Sequence, residues 1–192
     1  MGKKKTGTVR IIGGKWRGRR LPVPEVPGLR PSGDRSRETL FNWLAPHLHG
    51  SRCADLFAGT GVLGFEAASR GARSVVLVEK SSRAVDVLRE NLAVLAANES
   101  ETRIEVLKGD ALKWLDACQP GGLDIVYIDP PFGLQLETQV LAMLADGNCL
   151  ADGALVYLET ARQGATFEPG PGWETAKEKV VGDVHMRLLK KN

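Results

Sequence analysis

The chain has 192 residues, 43% of them hydrophobic and 26% charged, enough for one domain with a real core and unlike disordered or fibrous proteins. No apolar run approaches a membrane span, and Met1-Gly2-Lys3-Lys4-Lys5-Thr6 has no apolar segment behind it to make a signal peptide. Cys53, Cys118 and Cys149 are too scattered for a disulfide framework or a zinc knuckle, so the expectation is a cytoplasmic protein with reduced thiols, no metal and no membrane partner.

The net charge of +3 is unevenly spread. Eleven Lys or Arg against Glu25 and Asp34 put residues 1–37 at +9 and leave −6 for the remainder. A basic head on an acidic body is the footprint expected when the head meets phosphate.

Thr8-Val9-Arg10-Ile11-Ile12 and Arg17-Gly18-Arg19-Arg20-Leu21 flank Gly13-Gly14-Lys15-Trp16, which predicts a β-hairpin with glycines in its turn. Trp16 among Lys15, Arg17, Arg19 and Arg20 joins a stacking face to cations, a combination that suits unpaired RNA bases. Core packing is the competing role for a lone Trp. Pro22 to Gly28 forms a stiff connector. Leu40, Phe41, Leu44 and Leu48 then recur at helical spacing, predicting a helix over Arg35–Leu48 with Ser32 or Asp34 as its cap and Pro46 limiting its end. Its basic start, with Arg35 and Arg37, would share the hairpin's surface.

From Arg52 onward, short apolar runs alternate with helical stretches. The predicted strands are Cys53–Phe57, Ser74–Val78, Arg103–Leu107, Leu123–Ile128 and Ala154–Glu159. The predicted helices are Val62–Ser69, Arg83–Ala97, Ala111–Ala117 and Leu136–Asp146. This is the pattern of an open α/β parallel sheet with helices on both faces. Trp173–Val181 and His185–Lys190, separated by Gly182-Asp183, predict an antiparallel edge hairpin.

Two stretches carry chemistry. Asp55-Leu56-Phe57-Ala58-Gly59-Thr60-Gly61-Val62-Leu63-Gly64 is a strand, a glycine turn and a helix start, with G-x-G-x-x-G at Gly59, Gly61 and Gly64. The next strand ends at Glu79, whose carboxylate can take the hydroxyls of a ribose. To this point NAD and S-adenosylmethionine fit equally. Asp55 would repel a pyrophosphate and welcome the ammonium of a methionine moiety. Gly109-Asp110-Ala111 closes the third strand with an acid that could accept from an adenine amino group. The second stretch, Asp129-Pro130-Pro131-Phe132, closes the fourth strand. It offers a carboxylate, a carbonyl without an N–H, a stiff turn and an aromatic face. All four acids fall at the carboxyl ends of successive strands, where open α/β sheets bind ligands.

These motifs resemble those of class I, Rossmann-like S-adenosylmethionine-dependent methyltransferases, and Asp129-Pro130-Pro131-Phe132 is similar to the Asp/Asn-Pro-Pro-aromatic box of the enzymes that act on amino groups. The head, Arg10 to Gly18 together with Arg30 to Leu44, resembles the bacterial RsmD family, from about Val9 to the C-terminus. The resemblance implies a mostly parallel seven-stranded Rossmann-like sheet with an antiparallel C-terminal hairpin. It divides the chain into a basic N-terminal extension, residues 1–31, and a methyltransferase domain, residues 32–192. It implies methyl transfer from S-adenosylmethionine to N2 of a guanine, position 966, in 16S ribosomal RNA, within a 30S subunit or assembly intermediate, by a monomer. Cofactor contacts would fall on Asp55, Phe57, Gly59, Gly61, Glu79, Asp110 and Ala111, the reaction on Asp129, Pro130, Pro131 and Phe132, and RNA contacts on Arg10, Lys15, Trp16, Arg17, Arg19, Arg20 and Arg35.

The exocyclic amine of guanine is a poor nucleophile because its lone pair is delocalised into the ring. Acceptors on its two N–H groups, Asp129 and the Pro130 carbonyl, would free that pair, and Phe132 would stack the base. A carboxylate also matches the adjacent N1–H and N2–H of guanine, whereas adenine and cytosine present an amine beside a ring acceptor. The rival readings are a nicotinamide dehydrogenase, a non-catalytic RNA-binding module, and methylation of DNA or of a protein glutamine.

Overall fold

A computed structural model of the chain describes residues 7–24, 26, 33–96, 101–131, 136–162 and 168–192. A short antiparallel hairpin, β1 (Thr8–Arg10) and β2 (Arg20–Pro22), precedes α1 (Asp34–Leu48). The α/β body follows as β3 (Arg52–Asp55), α2 (Val62–Ser69), β4 (Ser74–Glu79), α3 (Ser82–Ala96), β5 (Arg103–Lys108), α4 (Ala111–Asp116), β6 (Leu123–Ile128), α5 (Leu136–Asp146) and β7 (Leu150–Ala161). It closes with β8 (Trp173–Val181) and β9 (Val184–Lys191).

The seven-stranded sheet has the order β5-β4-β3-β6-β7-β9-β8. Its first five strands are parallel, and β9 runs antiparallel to both β7 and β8. The order reverses between β3 and β6, the crevice where doubly wound sheets hold ligands. Asp55, the last residue of β3, is level with Tyr127 of β6, so Asp129 lies just beyond it on the next strand.

The central strands are apolar on both faces because helices cover both. One core joins the hairpin residues Val9, Ile11, Trp16 and Leu21 to Leu40, Phe41 and Leu44 of α1, to α2, and to Tyr127 and Tyr157 of the sheet. The other packs Leu115 of α4, Leu141 and Leu144 of α5 and Trp173 against Val126, Ile128, Val156 and Leu158. No helix among the described residues is long and apolar enough to cross a membrane.

Some boundaries differ from the sequence reading. The first strand ends at Arg10 rather than Ile12, because the Ile12 N–H donates to Glu66 Oε2 at 2.9 Å instead of to a strand. Ser32, one of the two expected caps, lies outside the described residues, and Asp34 does not cap α1. Gly33 holds the cap position with no side-chain hydrogen bond, and the Asp34 carboxylate bonds Arg10 and Arg37. The fifth body strand extends to Leu150–Ala161, longer than the Ala154–Glu159 expected, because β9 pairs with it as far as Ala161.

Gly64 shows why a glycine sits in the first turn of α2. A Cβ there would lie 2.2 Å from Leu77 Cδ2 and 3.0 Å from Val75 Cγ1, both fully buried on β4. Gly64→Val is expected to cost about 2–3 kcal/mol of stability through overpacking, read as a lowered urea midpoint at unchanged slope.

Candidate active site

The glycine turn is built from the backbone outward. The Ala58 N–H donates to the Val78 carbonyl at 3.0 Å and the Gly61 N–H to the Ala58 carbonyl at 2.6 Å. Gly59 and Gly61 adopt φ of 51° and 73°, in the left-handed region open to glycine. A Cβ on Gly61 would meet Leu88 Cδ2 at 2.4 Å and Phe65 Cε2 at 2.6 Å. At Gly61 and Gly64, therefore, the close approach is made by the protein's own side chains, where the sequence suggested a ligand. Half-buried Glu79, at the end of β4, ties the site together: Oε2 accepts from the Gly59 N–H at 2.8 Å and Oε1 from the Ser81 N–H at 2.7 Å. Each oxygen keeps the capacity to accept a further hydrogen bond.

Asp55 is buried beneath this turn. Burial pushes its carboxyl up to about 7, and the negative charge of Glu79 adds to the effect, while the N–H groups of Gly64 and Phe57 pull against it. Phe57 is half-buried beside it. Asp110 is the N-cap of α4, its Oδ1 accepting from the N–H groups of Leu112 and Lys113 at 3.1 and 3.4 Å. These bonds, with Lys80 3.5 Å from Oδ2, hold its carboxyl below the usual range. Ala111 is buried behind it.

Past β6, Asp129 is half-buried, Pro130 buried and Pro131 exposed. Phe132 lies outside the described residues. The structure thus gathers Asp55, Glu79, Asp110 and Asp129 along the carboxyl edge of the sheet, on both sides of the strand-order reversal. A positively charged ligand bearing a ribose fits this donor set better than a pyrophosphate does. S-adenosylmethionine, with its ammonium and sulfonium, has that character. Asp55, Glu79 and the glycine turn are the residues that would hold it.

In that role Asp55 would also set a pH dependence. A cation favours its ionised form, so below pH 7 binding must release a proton. Affinity for S-adenosylhomocysteine, which keeps the ammonium, should rise up to tenfold per pH unit below about 7 and level off above it. Titration calorimetry from pH 5.5 to 8.5 reads this, and Asp55→Asn should flatten the profile. For the protein without ligand the sign is opposite: the raised carboxyl makes the fold lose stability as pH climbs from about 4 to 7.

The basic head is partly as expected. Lys15, Arg17, Arg20 and Arg35 are exposed, and Arg10, 53% exposed, pairs with Asp34 at 3.0 Å. Arg19 is half-buried and donates to the Val94 carbonyl of α3 at 3.3 Å. Trp16 corrects the reading that gave it an RNA-stacking face. It is only 2% exposed, its indole is in the core, and Lys15 Nζ sits 4.9 Å from the ring centroid. Arg37 also turns inward, fully buried.

What draws these residues in is α2, whose polar side chains the sequence reading passed over. Glu66, fully buried, takes the Ile12 N–H, pairs with Arg70 Nη2 at 2.8 Å and lies 3.5 Å from Arg37 Nη1. Ser69 Oγ donates to the Gly13 carbonyl at 2.6 Å and accepts from the Trp16 N–H at 2.9 Å, while its own carbonyl takes the Lys15 N–H. The available signal was a lone acid inside the apolar stretch Val62 to Ser69, where a carboxylate needs a partner.

The sheet order and the acids along its carboxyl edge define a Rossmann-like methyltransferase fold. The solved structure of yhhF from Escherichia coli matches it with a TM-score of 0.83 and 43% identity, over 96% of this chain and 98% of that one. The pattern of the family described as conserved hypothetical protein 95 matches residues 9–190. The ribosomal RNA small subunit methyltransferase D of Haemophilus influenzae is 44% identical over 95% of this chain and 93% of its own length. That of Escherichia coli K12 is 43% identical over 97% and 91%. The chain belongs to this family, that of ribosomal RNA small subunit methyltransferase D.

Proposed function

We propose that the protein transfers a methyl group from S-adenosylmethionine to the exocyclic N2 of a guanine in 16S ribosomal RNA, position 966 by family resemblance. The observation that carries this reading is the Asp129-Pro130-Pro131 corner, set one strand away from the Asp55 glycine turn across the strand-order reversal. The names of the relatives and the exposed cations of the head support ribosomal RNA as substrate.

When bound, the cofactor supplies an electrophilic methyl on a sulfonium. The chain's own contribution is positioning. The Asp129 carboxylate and the Pro130 carbonyl accept from the amine, freeing its lone pair, and Asp129 can take the proton that leaves. The target base must leave its stack to arrive there, which is easiest from an RNA loop. Exposed Lys15, Arg17, Arg20 and Arg35 would meet the phosphates around it. The 30S particle or an assembly intermediate is the proposed form of the substrate.

The test is tritium transfer from labelled S-adenosylmethionine to 16S ribosomal RNA and to 30S particles from cells lacking the gene, followed by nucleoside analysis. Label in N2-methylguanosine is the expected result. Label in another nucleoside would keep the enzyme class and discard the guanine assignment, and label in no nucleic acid would point to protein substrates.

A further inference from the structure

The parallel register of β6 and β7 pairs Tyr127 with Tyr157 and Ile128 with Leu158, so the next step along both strands brings Asp129 beside Glu159. Glu159 is 5% exposed and Tyr157 1%. The Tyr157 hydroxyl donates to Glu159 Oε2 at 2.7 Å. Across the other edge of β7, Glu159 faces Met186 of β9, which is apolar and fully buried. An acid in such a place carries a desolvation penalty that a Leu would avoid. Tyr157 does not require it either, since Phe would fill the same volume. A buried acid at the mouth of a site, next to the group that would handle the substrate, points to function.

We propose that Glu159, oriented by Tyr157, donates a hydrogen bond to O6 of the target guanine and so helps the site choose that base. This rests on the guanine reading above. The Watson–Crick edge of guanine presents O6, N1–H and the N2 amine in a row. Asp129 can accept from the two donors but cannot satisfy O6, which would be buried without a partner. A neutral carboxyl offers one acceptor and one donor. With Oε2 taken by the Tyr157 hydroxyl, the remaining O–H is free for a carbonyl. Burial keeps Glu159 neutral to higher pH than an ordinary Glu, against the opposing pull of the Tyr157 hydrogen bond. Tyr157 is itself pushed well up, first by burial, then by Glu159 and Asp129, which places Asp129 within electrostatic reach of the pair. Adenine carries an amino donor where guanine has O6 and would oppose the Glu159 proton.

The experiment compares small-subunit ribosomal RNA bearing guanine at the target with the same RNA bearing 2-aminopurine, which keeps the N2 amine but lacks O6 and N1–H. Both are assembled into particles. Wild-type protein should prefer guanine in kcat/KM. Glu159→Ala should reduce that preference about tenfold or more, whereas Glu159→Gln, whose amide N–H can still donate, should keep it within about threefold. Equal losses on the two substrates would mean that Glu159 merely supports the fold and would overturn the inference. So would a Glu159→Gln variant that loses the preference, and that variant carries the test alone if the alanine variant does not fold. If wild-type protein labels neither RNA at N2, the guanine reading itself fails, and this inference falls with it.

Discussion

Asp129→Ala is expected to lower methyl transfer to ribosomal RNA by about two to three orders of magnitude while leaving affinity for S-adenosylmethionine within about threefold of wild type. In the proposed reaction the carboxylate acts on the amine and not on the cofactor, which Asp55, Glu79 and the glycine turn between β3 and α2 would hold. The loss should therefore appear in kcat at saturating cofactor, with calorimetric binding of S-adenosylhomocysteine preserved. Asp129→Asn refines the point. An amide is nearly isosteric but offers one acceptor where the carboxylate offers two, so it no longer matches the paired N1–H and N2–H of guanine. If Asp129→Asn keeps full activity on guanine, selection by the carboxylate is refuted. A loss of cofactor binding in both variants would instead place Asp129 in the cofactor site.

The largest expected effect on stability lies at Glu66. Glu66→Ala should destabilise the fold by about 3–5 kcal/mol, measured by urea unfolding, because it leaves the buried Arg37 guanidinium without that carboxylate. It also orphans the Ile12 N–H and removes the partner of Arg70, although Arg70 can turn to water. The double variant Arg37→Met with Glu66→Leu should recover about 2 kcal/mol of the loss, since removing both charges also removes their desolvation penalty. The remaining deficit, about 1–3 kcal/mol, would belong to the unpaired Ile12 N–H. Were Glu66→Ala to fall within about 0.5 kcal/mol of wild type, the ion pairs would be incidental to the fold.

The α/β body was legible because its signals are local. Leu123–Ile128 is an apolar run bounded by a diglycine and a diproline, and the helices over Val62–Ser69 and Leu136–Asp146 appear with the predicted limits. The strand-end acids could be located for the same reason, as each directly follows a strand core. Their partners were not legible, because those depend on which strands become neighbours. Nothing in the local sequence says that Asp110, beyond capping its own helix, also faces Lys80, or that the β6–β7 register carried past Ile128 and Leu158 leads to Asp129 and Glu159. The head misled for a related reason. Trp16 and Arg37 stand in a basic context that reads as a surface, yet contacts with Ser69 and Glu66, more than 25 residues away in sequence, draw both inward.

Helix α2 begins in the glycine turn and ends in the grip of Ser69 on Gly13 and Trp16. The basic hairpin is consequently not a detachable module. Its backbone polar groups are satisfied by the same helix whose first turn lies at the strand-order reversal, and its apolar residues share one core with α1 and α2. Deleting it would strip partners from two buried polar side chains and uncover the apolar side of Trp16's neighbours. Grafting it onto another methyltransferase would require transplanting Arg37, Glu66, Ser69 and Arg70 along with it. If the exposed cations of the hairpin meet the RNA as proposed, a change of RNA target is easier to reach by altering them than by exchanging the hairpin whole.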